Sequence, residues 1–94
     1  MRKRTLRLIA MQQRIDGYWR IDTRVGEFSI RFHDGYWAPF FEDEHLGAYH
    51  SPLIALEELV GGSTFMPSNG VWPADLDLPD DFSDWQFVRF NSPV

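Results

Sequence analysis

Residues 27–33 alternate without a break. Phe28, Ile30 and Phe32 fall on one side of an extended chain, and Glu27, Ser29, Arg31 and His33 on the other. Asp34-Gly35 follows, the residue pair best suited to the two positive φ angles of a type I′ turn. Residues 36–42 then return as a second strand. A two-residue loop sets the register: His33 opposite Tyr36, Phe32 opposite Trp37, Ile30 opposite Pro39 and Phe28 opposite Phe41. In this register Pro39 occupies a non-hydrogen-bonded pair, so its nitrogen points away from the 27–33 strand. A neighbour on that side finds no donor there, and strand 36–42 is expected to be a sheet edge or to bulge at Pro39.

Asp16-Gly17-Tyr18-Trp19 recurs eighteen positions later as Asp34-Gly35-Tyr36-Trp37. Two Asp-Gly hairpin turns joined through 23–26 predict an antiparallel meander of three to four strands. Residues 18–23 form its second strand, with Trp19 and Ile21 pointing inward. The first, over 6–13, carries Leu6, Leu8, Ile9 and Met11 and fits a strand or a short amphipathic helix; the Asp-Gly turn after it favours strand. The repeated aromatic pair reads as core and cross-strand packing, with a recognition surface as the alternative.

A helix is expected over 51–60. Ser51 suits the N-cap, Pro52 the first helical position, and Gly61-Gly62 the stop. Leu53, Leu56, Leu59 and Val60 make the stripe that should lie on the sheet. Glu57 and Glu58 form a solvated face or meet a basic surface. Pro67, Gly70, Pro73 and Pro79 leave 63–84 mostly irregular, with a turn or two, before a short final strand in 85–90. Trp72, Phe82 and Trp85 are expected to tie this tail to the domain. The fold class is thus α+β: a meander, one short helix packed on one face, and an irregular acidic C-terminal segment.

Ninety-four residues fit one domain, comprising a basic meander (1–42), the helix (51–60) and the tail (63–94), with no linker-like stretch between them. The absence of cysteine excludes disulfides and thiolate metal sites and fits a reducing, cytoplasmic compartment. No apolar run is long enough for a membrane span. Residues 1–15 carry five basic residues and no acid, the pattern of a transit peptide, but they lack serine and pass straight into the folded pattern.

Charge changes the picture most. Residues 1–32 hold eight of the nine Lys/Arg against three acids, a local net of +5; residues 33–94 hold Arg89 against eleven acids, a local net of −10. Either the two halves pair within the fold or they face partners.

Catalytic chemistry finds no framework. Ser, His and Asp occur, but no motif such as G-x-S-x-G sets a nucleophile beside a base, so the chain reads as a non-enzyme with no cofactor. His45 follows three acids, yet His45 and His50 lack helical i, i+4 spacing, and the segment reads as a solvated acidic loop rather than a metal site. Asp75-x-Asp77 resembles the opening of an EF-hand loop, but the loop's glycine and final glutamate are missing and Pro79 intrudes.

Binding is the reading that remains. Asp75, Asp77, Asp80, Asp81 and Asp84 interleave with Leu76, Leu78, Phe82 and Trp85. This is either an acidic-hydrophobic contact strip or a solubilising loop with its apolar residues tucked inward. With Glu42, Asp43 and Glu44 and the aromatics Tyr36 and Trp72, it defines a candidate surface for a protein partner with a basic face. The alternative is a nucleic-acid interface made by Arg2, Lys3, Arg4, Arg7, Arg20, Arg24 and Arg31, opposed by the overall charge of −5. A homodimer along the edge beside Pro39 or the final strand is the third reading.

The stretches Gly62-Ser63-Thr64-Phe65-Met66-Pro67-Ser68-Asn69-Gly70 and Leu78-Pro79-Asp80-Asp81-Phe82-Ser83-Asp84-Trp85 resemble the tail of short uncharacterised bacterial and prophage-type proteins. The resemblance covers about a third of the chain and brings no assigned activity. It implies a bacterial setting, in which small acidic domains serve as inhibitors, immunity factors or regulators.

Overall fold

The computed structural model describes residues 15–90. The segment 6–13, read above as strand or helix, lies outside the described residues. Among the described residues, five antiparallel strands and one α-helix make a mixed, mostly sheet fold: β1 (Gly17–Thr23), β2 (Gly26–His33), β3 (Tyr36–Phe41), β4 (Glu44–His45), α1 (Pro52–Gly61) and β5 (Gln86–Arg89). The order across the sheet is β4-β3-β2-β1-β5.

The β2–β3 hairpin has the expected register, from His33↔Tyr36 to Phe28↔Phe41. Asp34 and Gly35 take φ of 52° and 86°, the two positive values the primed turn requires. Phe28, Ile30, Trp37 and Phe41 enter the core beneath Ala55, Leu56 and Leu59 of α1. The helix starts on Ser51, whose side chain accepts from the Ile54 N–H at 3.1 Å, and stops at Gly62 with φ 83°. Its buried stripe differs from the expected one, because Leu53 is 53% exposed. Ala55, Leu56 and Leu59 centre that face, and at about 100° per residue Leu53 falls roughly 110° from it.

Two further expectations are corrected. Strand β3 is not the outermost strand, for β4 pairs with it through Phe40↔His45 and Phe41↔Glu44, and Tyr49 bridges Trp37. Pro39 still shapes this flank: it offers only its carbonyl, which accepts from the Leu46 N–H at 2.9 Å. The neighbouring segment accommodates it by placing three residues, 46–48, against two, 38–39, between the two contacts, so the bulge lies in that neighbour.

The second correction concerns Asp16-Gly17, which does not form a hairpin turn. Gly17 is the first residue of β1 and pairs with Arg89, placing β5 on the outer side of β1. Close approach accounts for the glycine. A Cβ here would sit 2.0 Å from the Val88 carbonyl oxygen and 2.9 Å from Arg89 Cα.

Gly17→Ala is therefore expected to lose about 1–3 kcal/mol of stability in chemical denaturation, the cost of overpacking against backbone. Gly61→Ala, where a Cβ meets open space on the helix, should instead raise stability by up to about 1 kcal/mol.

Candidate protein-contact surface

The acidic strip is built on two 3-10 turns, Pro73–Leu76 and Phe82–Asp84. Asp75 lies in the first turn and Asp77 caps it at φ 53°; Asp80 and Asp81 precede the second, and Asp84 ends it. All five carboxylates are exposed. The interleaved apolar side chains turn the other way. Leu78 and Trp85 are each 6% exposed in the core, and Leu76 and Phe82 pack half-buried against it. The Trp85 indole N–H donates to the Pro79 carbonyl at 2.9 Å, which holds the strip to its own anchor. Asp81 accepts from the Ser83 N–H at 2.8 Å, and the Ser83 backbone and side-chain hydrogen bonds hold its carboxyl below the usual range.

The other predicted acids are differently employed. Glu42, at φ 53°, folds its carboxylate back onto the Glu27 N–H at 2.7 Å. Glu44 accepts from both the Ser68 N–H and hydroxyl at 2.9–3.0 Å. Both carboxylates thus support loops, while Asp43 projects into solvent 3.8 Å from Arg31. Tyr36 and Trp72 are exposed at 44% and 42%. Phe82 and Trp85 tie the tail to the core; Trp72 is not among the residues packed against it.

Of the candidate nucleic-acid residues, Arg2, Lys3, Arg4 and Arg7 lie outside the described residues. Arg20 bonds to Glu27, to Asp22 at 2.5 Å and to Gln86 at 2.6 Å; the Glu27 and Asp22 carboxylates raise its pKa further. Arg31 donates to the Glu42 carbonyl at 2.6 Å and to Ser29 at 2.8 Å, and lies 4.1 Å over the Phe40 ring. Arg24 is exposed. Among the described residues, none of the five strip aspartates has a basic partner. The acidic segment is not neutralised by the arginines of β1 and β2.

Sequence reasoning missed a cleft of about 350 Å³ beside the N-terminus of α1, walled by Trp19, Trp37 and Phe87 and rimmed by Asp16, His50 and Ser51. Trp19 meets Trp37 at 5.9 Å and Phe87 at 5.0 Å, and Phe82 stacks on it at 4.3 Å. That stack joins the acidic turn to the aromatic wall. The doubled Tyr-Trp motif supplied two of these rings, but Phe87 comes into register only through the β1–β5 pairing. Among the described residues, no three His, Cys, Asp or Glu side chains are grouped to hold a metal ion.

Set against models of known protein families, curated proteins and solved structures, the chain matches none.

The lowered carboxyl of Asp81 gives a pH signature. A depressed pKa contributes stability above the ordinary carboxylate pKa of about 4, and that contribution fades as pH falls through the depressed value. Asp81→Ala should be less stable than the parent at neutral pH, and the two melting curves should converge on acidification.

Proposed function

We propose that this domain is a non-enzymatic protein-binding module that presents an acidic-aromatic surface to a partner with a basic face. The observation that carries this reading is the division of labour in residues 75–85: the apolar side chains anchor inward and every aspartate points out, without a basic partner among the described residues. Carboxylates held on anchored turns lose less conformational freedom on binding than those of a loose tail. Their summed field accelerates encounter with a basic partner and disfavours acidic ones. Phe82, between Asp81 and Asp84, continues the surface onto the Trp19–Trp37–Phe87 cleft, which supplies apolar area for the contact.

The role we propose is that of a small bacterial regulator or inhibitor. A bacterial setting is part of this proposal and rests on the sequence reading of residues 62–70 and 78–85 alone.

The test compares the tagged protein with a variant carrying Asp75→Asn, Asp77→Asn, Asp80→Asn and Asp81→Asn, in parallel capture from native cell extract. Partners held by the parent should be lost from the variant. For a purified partner, the association rate should fall about tenfold or more at low salt. Equal capture by parent and variant would overturn the reading. Recovery of nucleic acid, lost with rising salt, would favour the arginine face instead.

A further inference from the structure

Strand β5 is the last in the order β4-β3-β2-β1-β5, and among the described residues nothing pairs with its outer side. The hydrogen-bond pattern determines what that side presents. Phe90 N–H donates to the Asp16 carbonyl at 2.8 Å, which makes 16–90 a bonded pair. The register places Tyr18↔Val88 and Arg20↔Gln86 in the same phase, with Gly17↔Arg89 and Trp19↔Phe87 out of phase. Gln86, Val88 and Phe90 thus spend their backbone groups on β1, while Phe87 and Arg89 aim N–H and C=O outward. Of the usual protections of an open edge, β5 lacks proline and lysine; it is four residues long and its one charge is Arg89. Its flanking ring, Phe87, is 41% exposed.

We propose that a second copy of this chain pairs here, β5 against β5, about a two-fold axis through Val88. Antiparallel self-pairing on bonds from Phe87 and Arg89 admits one central register: Phe87 opposite the partner's Arg89, Val88 opposite the partner's Val88, and Arg89 opposite the partner's Phe87. Each Phe87–Arg89 pair exchanges both of its backbone bonds, giving four across the axis. Opposed residues share a face, so each exposed guanidinium lies beside an exposed phenyl ring, a cation–π pairing made twice. Arg89 is the one Lys/Arg beyond residue 32, and this register keeps the two copies of it from facing each other. The strand is therefore complementary to itself in backbone phase and in side-chain chemistry. At the other end of the sheet, Pro39 and the two-residue β4 offer no comparable edge.

The chain has no cysteine, so single cysteines report the axis directly. In the proposed pair the two Val88 Cα atoms stand about 4.5 Å apart, within disulfide reach. Under mild oxidation Val88→Cys should cross-link about tenfold or more faster than Asn69→Cys, a control on an exposed loop. Sedimentation of the parent should show a mass that rises with concentration. Arg89→Pro removes an outward N–H that β1 does not use and should remain folded by circular dichroism while sedimenting as a monomer; Arg89→Glu, which exchanges the cation for a carboxylate, should weaken the dimer as well. Equal cross-linking of the two cysteine variants, or a monomer mass up to about 1 mM, would overturn the proposal. So would undiminished dimerisation of Arg89→Pro. None of these readouts uses the acidic strip, so its test and this one fail separately.

Discussion

The two-residue turn at Asp34-Gly35 determines which backbone groups are used on each side of every strand. With both φ angles positive, it makes His33–Tyr36 a bonded pair and, by alternation, Ile30–Pro39 an unbonded one. Ile30 is then free to bond Trp19 on β1, and Pro39 faces the far flank, where only its carbonyl is needed. The same phase runs through β1 to β5, so the outward groups of Phe87 follow from a turn some fifty residues earlier. With β2 in place, a slip of one residue at this turn would move Trp37 and Phe41 to the face opposite Phe28 and Ile30.

This register also explains how the charges are disposed. Arg20 and Arg31 stand on the face away from α1, where cross-strand neighbours from β1, β2 and the turn after β3 meet them. Such half-exposed pairs add little stability each. Their effect is to commit these cations locally, which leaves the aspartates after residue 74 without a basic partner among the described residues. Mutual repulsion among those carboxylates is opposed by burial of Leu78 and Trp85. A Trp85→Ala change would remove anchor and hydrogen bond together.

How much of this was legible beforehand depended on the range of each interaction. The β2–β3 hairpin and the caps of α1 are decided by residues within a few positions of one another, and both followed from the chain alone. Asp16-Gly17 misled because a glycine that permits a turn and a glycine that permits another strand to come close look the same in sequence. Leu53 misled because a short helix of leucines fits several faces, and the small Ala55 marks the true one. The aromatic cleft was half visible in the doubled Tyr-Trp motif. Its third wall required the pairing of residues 17–20 with 86–89, which no local pattern encodes. Glu42 and Glu44 were legible as exposed acids, but not as loop supports, because their partners Glu27 and Ser68 lie far away in sequence.

Pairing β1 with β5 has a kinetic side. Arg20 and Gln86 meet across 66 positions, so this ladder closes a long loop whose entropy must be spent before its bonds form. The hairpins and α1 need no such closure and can assemble earlier. Residues 73–85 lie inside that loop, and Trp19, on which Phe82 stacks, is itself paired to β5. The acidic display is thus finished only when the sheet is finished. A chain that has folded its hairpins but not seated its last strand carries the same aspartates without presenting them as a surface, so recognition through this strip would also verify that folding is complete.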